Sequence, residues 1–310
     1  MDPLIHIGYH KTGTTWLQRH LWINGSMGLA RLDKKELHKY FVIPRPFDFD
    51  FEAARKHFEP IIRDNRSRGL LSVASSERLS GNPHSGGYDS KEIAYRLHAA
   101  FPEGRIVLAI REQSAVVLAA YKQYVRVGGP GSLTQYLVPP GVWPGRIPFF
   151  DFQHFAYHSL IEHYYSLFGK ERVLVLVYEQ FLEDPQNYVR RILDFAQIAV
   201  NEESLERLPF RERENISASG VHISLKRRLN YFFVRDSVNT LAPMPLEGGN
   251  TMVLNACSVV ERLIPAKVSE IIDSSRKKRV RELIGDRYKE SNAITSELIG
   301  CDLAKYGYRM

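Results

Sequence analysis

Short apolar runs, separated by longer stretches with helical spacing, set the pattern of this chain. Leu4-Ile5-His6-Ile7, Leu70-Leu71-Ser72-Val73-Ala74-Ser75, Arg105-Ile106-Val107-Leu108-Ala109-Ile110 and Arg172-Val173-Leu174-Val175-Leu176-Val177-Tyr178 are each almost continuously apolar. Such runs suit strands buried on both faces of a parallel sheet. Tyr40-Phe41-Val42-Ile43 is a weaker candidate of the same kind. Between the runs, Trp16 or Leu17 shares a helical face with Leu21, a helix is expected after Arg111 through about Val127, and Pro185 opens an amphipathic helix over Gln186 to Ala196. Strands alternating with helices predict an α/β fold, a parallel sheet with helices on both faces. The chain reads as one domain over 1–310, with an α/β core over about 1–200 and a mainly helical extension over about 201–310.

One segment breaks the pattern. Gly128 to Asp151 contains Gly128-Gly129-Pro130-Gly131, Pro139-Pro140-Gly141 and Trp143-Pro144-Gly145, and reads as an irregular excursion. Loops of this length inside a domain are usually functional or mobile. The segment is a candidate lid or acceptor wall, with Tyr136, Trp143, Arg146 and Phe149 as contacts and Arg126 as a further candidate. The alternative is that these aromatics form a satellite core beneath the loop.

Composition narrows the field less than pattern does. With 310 residues and 44% apolar positions the chain can bury a sizeable core. Its net charge of +7 suits an anionic ligand. Nucleic acid would feel the same charge, but no zinc spacing, helix-turn-helix cue or aromatic RNA motif accompanies it, so no nucleic-acid partner is expected. No stretch reaches the roughly 18 to 20 apolar residues of a membrane span. The first strand begins almost at Met1, so no secretory leader or membrane stem is expected before it, and a cytoplasmic location follows. Cys257 and Cys301 make neither a disulfide framework nor a metal site and are expected to be reduced. Asn24-Gly25-Ser26 and Asn215-Ile216-Ser217 match the glycosylation pattern, which carries no meaning in a cytosolic protein.

The chemistry is concentrated where the first run ends. Gly8-Tyr9-His10-Lys11-Thr12-Gly13-Thr14-Thr15 joins an apolar strand to an amphipathic helix, the setting of a phosphate-cradling loop. Glycines let the backbone curl around an anion, the amides of Gly13 to Thr15 face it from a helix N-terminus, and threonine hydroxyls add donors. The usual lysine after the second glycine is replaced by Thr14, and Lys11 stands inside the loop instead, which argues against an ordinary nucleotide triphosphatase. The alternative is a glycine turn with a solvated lysine. Arg111 closes the third run, where a guanidinium at a strand's carboxyl end can fork onto a phosphate; otherwise it is a charge facing water. Glu77 follows the second run in Ser75-Ser76-Glu77-Arg78, either as a site carboxylate or as a first-turn helix residue paired with Arg78.

Tyr9-His10-Lys11-Thr12-Gly13-Thr14-Thr15-Trp16-Leu17 resembles the 5′-phosphosulfate loop of sulfotransferases that use 3′-phosphoadenosine-5′-phosphosulfate. The chain is most similar to their soluble bacterial branch. The resemblance implies a P-loop NTPase-like fold and transfer of a sulfuryl group to an acceptor hydroxyl without a metal. It implies that Lys11, Thr12, Gly13, Thr14, Thr15 and Trp16 bind the donor, with Lys11 at the bridging oxygen and sulfonate. Arg105 to Arg111 is similar to the family's second motif, whose strand-terminal arginine binds the 3′-phosphate. A serine usually follows that arginine by eight residues, but this chain has Ala119. Ser114, Tyr121 or a downstream basic residue could substitute, among them Lys226, Arg227 and Arg228, although that cluster reads better as a solvated helix face. Arg276-Lys277-Lys278-Arg279 with Arg281 reads the same way. Glu77 matches the family's Ser-(Ser/Ala)-Glu segment and so the catalytic base, with His10 ranked below it. Glu214-Asn215-Ile216-Ser217, Leu225 to Asn230, Ser291-Asn292 and the closing Asp302 to Tyr308 are similar to later family segments.

The acceptor class stays open among carbohydrates, lipids, peptide tyrosines and small natural products, as does the oligomeric state. A small-molecule kinase is the alternative enzyme, though Thr14 and Arg111 speak against it. A catalytically silent nucleotide-binding protein is the alternative of another class; Ala119 favours it, and the presence of both Lys11 and Glu77 opposes it.

Overall fold

The computed structural model describes residues 2–139, 149–212, 218–236 and 239–310. Among them, five strands, β1 (Leu4–His6), β2 (Leu29–Arg31), β3 (Leu71–Ser75), β4 (Arg105–Ile110) and β5 (Val173–Val177), form one sheet in the order β2-β3-β1-β4-β5. Every pairing is parallel; in the centre Ile5 is registered with Ala74 on one side and Ile106 on the other.

The helices are α1 (Thr14–Trp16, continuing as a π-helical turn over Leu17–Leu21), α2 (Lys34–Leu37, continuing likewise over His38–Val42), α3 (Phe51–Ser67), α4 (Ser90–Ala100), α5 (Gln113–Arg126), α6 (Leu133–Leu137) and α7 (Tyr157–Phe168). They are followed by α8 (Tyr178–Glu183), α9 (Pro185–Phe195), α10 (Glu202–Glu206), α11 (Gly220–Phe233), α12 (Gly249–Arg262), α13 (Ala266–Ile284) and α14 (Lys289–Ile299).

Strand periodicity divides the core into two layers. Ile5, Ile106 and Leu108 pack with Leu97, Val116, Tyr121, Ile161 and Tyr164 from α4, α5 and α7. Leu4, Val73, Val107 and Leu176 face the other way, against Trp16, Leu17, Leu21, Tyr188 and Ile192 from the first helix and α9. Neighbours along a strand point to opposite faces, so a continuous apolar run is what a sheet covered on both sides demands. Each aliphatic side chain so buried contributes about 1.5–3 kcal/mol. The expected α/β fold is the one observed.

Several expectations change. Tyr40 to Ile43 is not a strand: His38–Val42 is helical, with Phe41 buried against Phe58 and Phe101. A short apolar run cannot be told from a buried helical segment by periodicity alone. Strand β2 was not anticipated; it is three residues at the sheet edge, with Leu29 buried and Arg31 exposed. The Gly128 to Asp151 excursion contains α6, closed at its start by a capping box between Ser132 and Gln135. Within it Tyr136 is core, Phe149 is exposed, and Trp143 and Arg146 lie outside the described residues, as do Glu214 to Ser217.

The C-terminal helices pack onto α5 and α7. Lys226 is not on a solvated face but fully buried, donating to Asn230 Oδ1 at 2.9 Å and Asn250 Oδ1 at 2.7 Å. Asn230 in turn donates to the Val125 and Gly129 carbonyls, so this network clamps the end of α5. Arg276 also turns inward, onto the Gly220 carbonyl and Ser224 Oγ, while Lys277, Lys278, Arg279 and Arg281 remain exposed. Among the described residues no helix is long and apolar enough to cross a membrane.

Candidate functional site

Because β1 lies between β3 and β4, the segments leaving these three strands emerge side by side at the carboxyl edge of the sheet. They carry Gly8 to Thr15, Ser76 to Glu77 and Arg111 respectively. Sequence positions far apart therefore meet in one place.

The first of these segments is tightly wound. Lys11 and Gly13 both take left-handed conformations, φ +69° and +82°. For Lys11 that backbone costs of order 1–3 kcal/mol, which the surroundings must hold. Thr12 Oγ1 donates to the Tyr9 carbonyl at 2.6 Å and closes the turn. Gly8 could not carry a side chain, since a Cβ there would stand 2.9 Å from His6 Nε2 and 3.2 Å from Thr12 Oγ1. The helix begins at Thr14, and its first amides have no intrahelical acceptor. Thr14 Oγ1 and His10 Nδ1 are buried without a hydrogen-bond partner among the described residues. Successive amides, an orphaned hydroxyl and a lysine form a set of donors suited to an anion. Trp16 has a different surrounding: its indole N–H donates to the Pro209 carbonyl and its rings pack on Phe181 and Phe210.

Arg111 is docked onto this loop. Its guanidinium donates to the Lys11 carbonyl at 2.8 Å and lies over the Tyr178 ring, 4.8 Å from its centroid. The main chain at Arg111 is fixed by the Tyr157 hydroxyl, which donates to its carbonyl at 2.5 Å. Beyond it, Glu112 caps α5, accepting from the Ser114 and Ala115 amides, and its own amide donates to Glu179.

Glu77 opens a short 3-10 turn capped by Ser76. It does not pair with Arg78, which forks onto Asp89; Lys34 from α2 meets its Oε1 at 2.9 Å and Gln18 its Oε2 at 3.3 Å. Burial opposes the charge on Glu77, but the hydrogen bond and the charge of Lys34 outweigh it and hold the carboxyl at about 2. His10 is lowered to about 3, mainly by burial, with Glu77 opposing and His154, His84 and Lys11 adding to the shift. His84 and His154 are both lowered to about 4, chiefly by burial. All three rings are therefore neutral at neutral pH. Burial lowers the Lys11 amine most; Arg126 and Arg111 push the same way and Glu77 opposes them.

A family model described as "Sulfotransferase domain" matches residues 1–211. The chain belongs to the sulfotransferase family. Its fold is similar to the crystal structure of a sulfotransferase from Alicyclobacillus acidocaldarius, with 18% identity, 99% of each chain covered and a TM-score of 0.57. More distant likenesses are the sulfotransferase domain from the curacin biosynthetic pathway (15% identity, 83% of this chain and 98% of that one, TM-score 0.43) and that of the Synechococcus PCC 7002 olefin synthase (13%, 83% and 94%, 0.41). No curated protein sequence matches this chain.

In this sulfotransferase four of the replacements considered for the missing serine at Ala119 are engaged elsewhere, while Arg228 is exposed. The Ser114 hydroxyl donates to Glu112 at 2.6 Å, and the buried Tyr121 directs its hydroxyl to the Gly131 carbonyl. Lys226 is held by its two asparagines and Arg227 reaches the Pro130 carbonyl. Sequence reasoning missed Lys34, Tyr178, His84 and His154 around the site. No local spacing signals them, because each arrives from a separate element across the sheet edge.

The loop geometry yields one stability prediction. Gly13→Ala forces an L side chain into a left-handed conformation and sets its Cβ 3.1 Å from Tyr178 Cε2. It should destabilise the sulfotransferase by about 1–3 kcal/mol. A thermal melt unchanged within error would mean that the loop relaxes freely.

Proposed function

We propose that this sulfotransferase takes its sulfuryl group from 3′-phosphoadenosine-5′-phosphosulfate and passes it to an acceptor hydroxyl, by in-line O-sulfation without a metal. The observation that carries the reading is the contact between Arg111 and the Lys11 carbonyl, which joins a phosphate-type loop to a strand-terminal guanidinium. Two anion sites side by side suit a donor with phosphate at both its 5′ and 3′ positions. The orphaned Thr14 hydroxyl fits the same donor.

In this reading the amides and hydroxyls of Thr12 to Thr15 hold the 5′-phosphate, with Trp16 anchoring the loop from the core side. Arg111 takes the 3′-phosphate, its guanidinium already oriented by Tyr178. The donor, when bound, supplies the sulfuryl group. Lys11 stabilises the charge that grows on the leaving phosphate oxygen, in a site where burial strengthens the interaction. Glu77 accepts the acceptor proton. A carboxylate this acidic is a weak base, so it receives the proton late, once the attacking oxygen is bonding to sulfur and has itself become acidic. His10, neutral beside Lys11, is the second candidate for that proton.

The whole of 1–310 is read as one domain, an α/β core to about residue 200 and a helical extension after it, since α11 and α13 pack directly on α5. A cytoplasmic setting is part of the proposal, and the two free cysteines, Cys257 and Cys301, fit it.

Calorimetric titration with 3′-phosphoadenosine 5′-phosphate tests the donor, beside 5′-AMP and ATP-Mg²⁺. Micromolar or tighter binding, lost with the 3′-phosphate, is the expected result. A preference for ATP-Mg²⁺ would favour a kinase instead.

A further inference from the structure

One side chain joins the helix that starts in the loop to the segment that carries Glu77. After Thr14–Trp16 that helix widens over Leu17–Leu21 into a π turn, closed by the Trp22 amide on the Leu17 carbonyl at 2.8 Å. Such a turn holds about one residue more than an α turn. Leu17, Leu21 and Trp22 can therefore all face the sheet, where each is buried, and Gln18 is left half-buried at the margin of that face, over the end of β3. Its backbone is tethered there too, since the Arg31 guanidinium of β2 donates to the Gln18 carbonyl at 2.9 Å.

Gln18 Nε2 lies 3.2 Å from Ser75 Oγ, 3.3 Å from Glu77 Oε2 and 3.4 Å from the Ser75 carbonyl. A carbonyl and a carboxylate only accept, so the nitrogen of the amide and not its oxygen must face them. The core enforces the same orientation at Ser75. The Trp22 indole N–H donates to His6 Nδ1 at 3.3 Å, so that nitrogen carries no proton and accepts the Ser75 hydroxyl at 2.8 Å. Toward Gln18, Ser75 Oγ is then an acceptor. Trp22, His6 and Ser75 are fully buried, and a satisfied buried network of this kind is rigid.

The two oxygens of Glu77 thus have holders of different kinds. Lys34 meets Oε1 from a side chain that is 37% exposed, whereas Gln18 meets Oε2 from a frame fixed in the core. Gln18 also follows Thr14 by four positions, about one helical turn, and the amides at Thr14 are those assigned to the donor's 5′-phosphate. Donor and base are therefore referred to one short helix.

We propose that Gln18 is a positioning residue for the transfer: it holds Glu77 Oε2 in place relative to the loop, so that the carboxylate meets the hydroxyl attacking sulfur. This inference rests on the donor and base assignments in the preceding subsection.

The test uses the full chain and follows transfer from 3′-phosphoadenosine-5′-phosphosulfate to water. The water oxygen bonds to sulfur, the bridging oxygen leaves with 3′-phosphoadenosine 5′-phosphate, Glu77 takes the proton, and sulfate release is counted. Gln18→Met, which keeps the length of the side chain without its N–H, should lower kcat by about ten- to a hundredfold. KM for the donor and affinity for 3′-phosphoadenosine 5′-phosphate should stay within about twofold of wild type. Gln18→Asn, polar but a methylene short of Oε2, should show the same loss. In a Glu77→Gln background Gln18→Met should cost nothing further, because Gln18 acts only through that carboxylate. Wild-type kcat in Gln18→Met, or a loss confined to KM, would overturn the proposal. So would an equal further loss in the Glu77→Gln background, which would make Gln18 a support of the fold. Wild-type protein that transfers no faster than Glu77→Gln would instead remove the base assignment, and failure to bind the nucleotide would remove the donor assignment; this inference falls with either.

Discussion

Lys11→Ala should lower turnover by about 10²–10³-fold, the loss typical of removing one preorganised donor from a site of developing negative charge. The fold should survive the change. The Lys11 amine makes no structural hydrogen bond among the described residues, and the contact that Arg111 makes with this residue is to its backbone carbonyl, which alanine retains. Alanine also keeps the Cβ, so the left-handed backbone is no more strained than before. Stability should thus stay within about 0.5 kcal/mol of wild type. Product release under single-turnover conditions, beside a thermal melt, measures both quantities. A folded Lys11→Ala protein turning over at the wild-type rate would remove the loop from the chemistry.

Glu77→Gln should cost about 10²–10⁴-fold in turnover, because glutamine keeps the shape and one acceptor oxygen, enough for Lys34 or Gln18 but not both, and takes no proton. Nucleotide affinity should be unaffected. The pH profile separates the candidate bases. With Glu77 held at about 2 and His10 at about 3, both stay in their proton-accepting forms as pH falls through 6 and 5, so no acidic limb should appear near the ordinary histidine range. At the other end, burial and Arg126 lower the Lys11 pKa, so activity should decline as pH rises before an ordinary lysine would lose its proton. An acidic limb near pH 6.5 in wild type, retained in a fully active Glu77→Gln variant, would transfer the proton to a histidine.

Four of the strands were legible because each is a buried run whose apolar side chains must alternate between two covered faces. Leu29–Arg31 was not, since three residues at an edge give no period. Lys226 shows a limit of another kind: a cluster of cations on a helix reads as solvated until the asparagines on α11 and α12 that hold one of them are seen. At the site, Lys11, Glu77 and Arg111 were visible as residues ending strands, and the sheet order brings those ends together. Lys34, which sets the basicity of Glu77, lies 43 positions earlier and follows the one strand that went unseen.

Behind the contacts that Lys11, Tyr157 and Tyr178 make with Arg111 stands a second tier from residues 292 to 309. Gln113, two residues on, bonds Asn292; Asn292 donates to the Arg309 carbonyl; and the Tyr308 hydroxyl reaches Glu179, which receives the Glu112 amide. During synthesis the loop, Glu77 and Arg111 itself are made within the first 111 residues, yet Asn292, Tyr308 and Arg309 are made long after them. A growing chain could close its sheet, which ends with Val177, long before residues 292 to 309 brace the flank of that arginine, so full competence to bind would follow their arrival and not the folding of the sheet.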